Sequence, residues 1–308
     1  MIAQILALFM GSLLSIPAPQ NLDGPGKLLT SVIPEGRVLS AQTELREGSP
    51  VRNSEVSEIS VTADSYVIVD VGSGSVIGAR NPSAVHPVAS LTKLLTALTV
   101  MQKGTLEEEV LVGLNATKAG NSGSDMKLKV GEKIKLQDLL AGLLINSAND
   151  AAVALAEHVS GTEIKFSEEM NKVAENYALS RTHVVNSTGF DNREQFSSAY
   201  DMGILLLQAW RDPVLGVYLR SSALTVSSVD GIIKHKLKTT NRLLGERTDI
   251  LAGKTGFTDG AGQSLAIVAE NETGHPVIVV LLGSQDRFGE ADKLLDWTFR
   301  TFSWPDTK

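Results

Sequence analysis

The sequence predicts an α+β fold, an antiparallel sheet flanked by helices with a mainly helical subdomain inserted between its strands. Three observations predict it. "SYVIVDVGSGSVIGARN", residues 65–81, reads as strand, glycine turn, strand. "GQSLAIVAENETGHPVIVVLLGS", residues 262–284, is a second hairpin with its turn at NETG. Between the two lie long apolar segments at helical spacing.

The elements follow in chain order. "MIAQILALFMGSLLSI" at the N-terminus is apolar and uncharged, and its length suits the core of a signal peptide better than a full membrane span. The first basic residue is Lys27, and Ile16 occupies the third position before a cut after Ala18. Residues 1–18 are therefore expected to be a signal peptide or an uncleaved N-terminal anchor. Residues 19–57 are rich in Pro, Gly, Ser, Glu and Arg without a sustained apolar period, and are expected to form a flexible linker. The folded unit is expected over 58–305. After the first hairpin, "PVASLTKLLTALTV" (87–100) spaces its leucines as a helix does. "LQDLLAGLLINSANDAAVALAEHVSG" (136–161) reads as two helices joined at NSAND, and 163–179 and 199–210 are helical. "SALTVSSVDGIIKHKLKTT" (222–240) reads as strands around an Asp-Gly turn. Within it, "IIKHKLK" alternates basic residues as a solvated strand face would. Residues 286–303 form a closing helix whose Leu295, Phe299 and Phe302 make one stripe facing the sheet.

Composition excludes several classes. The 308 residues carry a net charge of −7 and no long basic block, which argues against a nucleic-acid partner. The absence of cysteine removes disulfides, thiol nucleophiles and thiolate metal sites. The five histidines are scattered without ligand spacing, so no metal and no cofactor is expected.

The chemistry-bearing residues start with Ser90 and Lys93, three apart and so neighbours on one helix face. A serine hydroxyl is a weak nucleophile that needs a base, and lysine serves as one only when neutral. Burial and a second cation both favour the neutral form. Alone the pair reads better as a helix-start serine and a solvated lysine. Two further motifs shift that balance. "SAN" (147–149) sits between two apolar helices, and "KTG" (254–256) lies before a predicted strand. Lys254 is a cation that could favour a neutral Lys93 and attract a carboxylate, and Thr255 can donate to that carboxylate. Gly256 would let a ligand approach the backbone.

In this order the three motifs resemble those of the penicillin-recognising serine enzymes, the penicillin-binding proteins and β-lactamases. "DLLAGLLINSANDAAVALAE", "FSEEMNKVAENYAL", "NSTGFD", "AGKTGFTDGAGQSLAIVA" and "RFGEADKLLDWTF" are similar to blocks of the D-alanyl-D-alanine carboxypeptidases. The resemblance covers roughly residues 58–303 and implies a β-lactamase/transpeptidase-like fold. It further implies that Ser90 is acylated by the penultimate D-alanine of a peptidoglycan stem peptide and that Lys93 takes its proton. Ser147 would relay a proton to the leaving D-alanine, and Asn149 would hold Lys93 and the substrate amide. Lys254 and Thr255 would bind the terminal carboxylate, with Arg242 as a further candidate. The backbone N–H groups of Ser90 and Phe257 would form the oxyanion hole.

The resemblance also implies β-lactams as covalent inhibitors, and a place in the bacterial cell envelope with membrane contact through the N-terminal segment. Ala148 departs from the residue usual between the serine and asparagine. Sequons at Asn115, Asn186 and Asn271 read as chance and turn chemistry. A D,D-endopeptidase would use the same residues. A class A β-lactamase fits less well, because the Glu-x-x-Leu-Asn stretch is absent after SAND. A non-catalytic binding protein would be expected to have lost Ser90, Lys93 or Lys254.

Overall fold

The computed structural model describes residues 48–305. The expected signal peptide or anchor (1–18) and most of the expected linker lie outside these residues. The chain enters with a short strand β1 (Val51–Arg52), then forms the first hairpin, β2 (Ser65–Asp70) and β3 (Val76–Arg80). Its turn is closed by Asp70, whose Oδ2 accepts from the N–H and hydroxyl of Ser73. A 3-10 turn, Ala89–Leu91, leads into helix α1 (Thr92–Lys103). The helical lobe follows: β4 (Glu109–Leu111), α2 (Leu114–Ala119), β5 (Lys133–Lys135), α3 (Leu136–Ile145), α4 (Asn149–Ser160), α5 (Glu163–Asn176), α6 (Ala199–Arg211) and α7 (Leu215–Arg220). The hairpin of β6 (Ala223–Ser227) and β7 (Lys234–Lys238) and the short α8 (Leu243–Glu246) return the chain to the sheet. There β8 (Ile250–Thr258), β9 (Gly262–Glu270) and β10 (Pro276–Ser284) run as a meander, closed by α9 (Arg287–Thr301) and β11 (Phe302–Ser303).

The main sheet has the antiparallel order β3-β2-β10-β9-β8, so the first and last hairpins of the fold join through β2 and β10. Its central strands are buried on both faces. Val67, Val69, Val268, Ile278 and Val280 point to the helical lobe, while Ile68, Leu265, Ile267, Val279 and Leu281 point to α9. That is the period-two alternation of a strand with apolar residues at both phases, and it makes a three-layer stack. The closing helix packs as its sequence stripe demands: Leu295 and Phe302 are buried and Phe299 lies against them. Asp286 caps this helix by accepting from the Gly289 N–H.

Three sequence expectations need correction. Residues 49–57, expected in the linker, are part of the folded unit. Ser49 is buried, β1 pairs with β11, and the Trp297 indole donates to Ser57 O at 2.8 Å. This segment shows no apolar period because its two-residue strand is held by a partner from the other end of the chain. KTG lies inside β8, not before a strand, and its residues are buried. Gly253, Lys254 and Gly256 hide that strand from propensity. The small β4–β5 pair, α2, α7 and α8 were not apparent in the sequence, each having six residues or fewer. Among the described residues, no helix is long and apolar enough to cross a membrane.

Candidate active site

Ser90 sits in the 3-10 turn, partly exposed, one helical turn ahead of Lys93 on α1. The turn is shaped by Ala89, which adopts a left-handed φ of 48°. Two glycines hold it from either side. A Cβ on Gly189 would lie 2.0 Å from Ala89 O, and one on Gly256 would lie 2.8 Å from Val88 O. Gly256 therefore serves first to let β8 close on the turn that carries Ser90.

Lys93 is fully buried. Its Nζ donates to Ser90 Oγ at 2.8 Å, to Asn149 Oδ1 at 2.7 Å and to Thr188 O at 2.6 Å. Burial pulls its pKa down to about 7, against the opposing field of Asp150. The depression is thus a desolvation effect, and the field of Lys254 expected from the sequence is not its main cause. The charge coupling acts chiefly on Lys254. That residue is also buried, and its pKa is pushed well below the ordinary value by burial, then by the Lys93 and Arg287 cations. Lys254 Nζ donates to Ser147 Oγ at 2.7 Å and to Thr255 O at 2.9 Å.

The SAN segment therefore sends Ser147 to one lysine and Asn149 to the other. It can do so because Ser147 adopts a left-handed φ of 59° just before α4 begins. Asn149 is fixed in turn by the loop ahead of β5. Its N–H donates to Ser124 O at 2.8 Å and its Nδ2 to Ser122 O. That loop is pinned by Asp150, which accepts from the N–H groups of Met126 and Leu128, and by His235 on β7. The two His235 ring nitrogens face Met126 O and the buried carboxylate of Glu132, each at 2.6 Å.

Thr255 Oγ1 pairs with Thr240 Oγ1 at 2.5 Å. Phe257, at the end of the edge strand β8, is exposed. Arg242 does not join this group: it is exposed, pairs with Glu246 at 3.4 Å and lies over the Phe288 ring. Arg287 at the start of α9 is the cation beside Lys254. Its Nη1 donates to Gly256 O at 2.8 Å, and its buried Nε has no partner among the described residues. Neither Arg287 nor the Thr188 carbonyl was singled out from the sequence. Thr188 lies in NSTGFD, where Asn186 Oδ1 accepts from the N–H groups of Gly189 and Phe190, so this sequon does build a turn. Among the described residues, no group of three or more His, Asp or Glu side chains is placed to hold a metal ion.

A partly exposed serine, a buried lysine within hydrogen-bond reach and a second serine–lysine pair beside it make the arrangement that serine acyl transfer with a lysine base would require. A family model described as D-alanyl-D-alanine carboxypeptidase matches residues 52–286. The chain belongs to this S11 peptidase family. It is 33% identical over 254 residues to the D-alanyl-D-alanine carboxypeptidase DacA of Haemophilus influenzae, covering 79% of this chain and 63% of that protein. It thus spans a little under two thirds of that relative. A D-alanyl-D-alanine endopeptidase of Pseudomonas aeruginosa is 29% identical over 84% of each chain. The fold is that of the solved penicillin-binding protein 5 from Haemophilus influenzae, with a TM-score of 0.73 and 33% identity over 80% of this chain and 73% of that one.

Proposed function

We propose that the chain is a serine-type D-Ala-D-Ala carboxypeptidase that trims the terminal D-alanine from peptidoglycan stem peptides. The observation that carries this reading is Lys93, buried, with a pKa near 7 and its Nζ 2.8 Å from Ser90 Oγ. Neutral Lys93 takes the hydroxyl proton as Ser90 Oγ attacks the carbonyl of the penultimate D-alanine. The tetrahedral oxyanion is received by the N–H groups of Ser90 and Phe257. Collapse breaks the peptide bond, and the leaving amine takes a proton delivered by way of Ser147. Water then attacks the acyl-serine, regenerates Ser90 and releases the shortened peptide. Thr255, Lys254 and Arg287 are the groups for the terminal carboxylate, and Asn149 keeps Lys93 aligned.

The same chemistry makes β-lactams covalent inhibitors. The apolar, uncharged residues 1–18 support export to the cell envelope, with cleavage or anchoring there, and mass spectrometry of the mature N-terminus distinguishes the two. Labelled penicillin should form a stable adduct that Ser90→Ala lacks, and equal labelling of both proteins would sink the reading. The second reading, a D,D-endopeptidase, is favoured by the similarity to the Pseudomonas enzyme over most of both chains. D-Alanine released from a pentapeptide, with cross-linked dimers left intact, supports the carboxypeptidase. The reverse preference supports the endopeptidase.

A further inference from the structure

The alternating basic strand acquires a second meaning from its position. On β7, Lys234, Lys236 and Lys238 are exposed, while His235 and Leu237 between them are buried. None of the three lysines has a carboxylate within ion-pair distance among the described residues. The neighbouring β4–β5 pair behaves differently: Lys133 pairs with Glu109 at 3.4 Å and Lys135 with Glu107 at 3.1 Å. In a chain with 35 acidic and 28 basic residues, three adjacent unpaired cations are a local reversal of sign. The strand also leads to the cleft. Two residues past Lys238, the Thr240 N–H donates to Ile145 O at the end of α3, and the Thr240 hydroxyl meets Thr255. Lysines at every second position of a strand repeat at about 6.8 Å. An extended peptide with carboxylates at every second residue repeats at the same distance.

We propose that the outer face of β7 is an exosite for an extended acidic peptide, docking the wall material beside the cleft rather than the bond being cut. That choice of partner rests on the peptidase reading above. The charge sign selects an anion, and a row of cations running toward the cleft suits a linear chain better than a planar surface. The hairpin tip, where Val229 and Ile232 are exposed, makes an anionic lipid surface the competing occupant.

The test uses the full chain and a fluorescein-labelled peptide alternating Glu and Ala, with an amidated C-terminus that cannot occupy the acyl-transfer site. Its control is the Gln counterpart. At low salt the Glu peptide should bind about tenfold more tightly, as three weak ion pairs together allow. The advantage should vanish in the triple variant K234Q/K236Q/K238Q and persist after Ser90 is acylated by penicillin. Equal binding of the two peptides, or an advantage surviving the triple variant, would overturn the exosite. Loss of binding on acylation would place the peptide in the cleft and overturn it too. So would a triple variant that loses affinity for phosphatidylglycerol vesicles but keeps the peptide. Penicillin labelling of the triple variant at the wild-type rate shows that its fold is intact. An enzyme that binds the Glu peptide but releases no D-alanine refutes the proposed activity without refuting the exosite.

Discussion

The two buried lysines of the site invite comparison. Each lies within 2.8 Å of a serine hydroxyl, yet they are held in opposite ways. Lys93 has three acceptors for its three donor hydrogens, one from each of three separate segments, and no cation depresses it. Burial alone brings it to about 7, where it can both give and take a proton. Lys254 gives two hydrogen bonds and is depressed further by two cationic neighbours, Lys93 and Arg287. It has a donor to spare and an unfavourable field. A carboxylate arriving there would relieve that field and restore the charge. The first arrangement suits proton transfer, the second an anion.

The most severe way to break this comparison is to remove the base. Lys93→Met should slow acylation by penicillin by about a thousandfold, within the range of general-base effects. In the unaltered protein the rate should climb as pH rises through about 7, because below that point Lys93 is protonated and has no lone pair. Stopped-flow acylation against pH checks both, and a flat profile would remove Lys93 from the role.

Next comes Lys254→Met, which truncates one partner of a buried charged contact. It should cost about a hundredfold in kcat/KM for a peptide with a free C-terminal carboxylate and much less for a penicillin ester. In the unaltered protein, KM for the free-carboxylate peptide should rise with pH as Lys254 loses its proton, while KM for the penicillin ester should not. Matched losses on both substrates would make Lys254 merely structural.

A third test moves away from the lysines to the turn that aims Ser90. Gly189→Ala places a methyl against Ala89 O at a φ of 88° and should lower stability by about 2 kcal/mol in urea denaturation. The smallest effect is expected at His235→Gln. Loss of one buried hydrogen bond to Met126 O or Glu132 should cost about 1 kcal/mol of stability. If the loop positions Asn149, acylation should also slow a few-fold, with its midpoint near pH 7 displaced. Stability loss with an unmoved profile would show that the loop does not reach Lys93.

How much of this was legible depends on the kind of contact. Ser90, Lys93, Ser147, Asn149 and Lys254 announce themselves because nucleophile, base and cation require particular side chains at particular spacings. The hairpins at β2–β3 and β9–β10 are equally plain, since alternation and turn residues are local. The acceptor at Thr188 is a backbone carbonyl, which any residue supplies, so no side chain reveals it. Arg287 and Arg242 look alike in sequence. Only the fold, which holds Arg287 at the start of α9 to Gly256 O on β8, places one near Lys254 and leaves the other paired with Glu246. The segment from Val51 to Ser57 carries no local signature because its partners lie some 240 residues or more away, at Thr301 to Ser303 and Trp297.

The left-handed turns at Ala89 and Ser147 have a consequence for how this protein would respond to selection for robustness. Each non-glycine residue in that conformation costs roughly 1 kcal/mol or more. Ala89→Gly would recover part of that cost and raise the melting temperature, while freeing the backbone that fixes the direction of Ser90. A search for thermostable variants would therefore be drawn to position 89 and would return proteins that last longer and react more slowly.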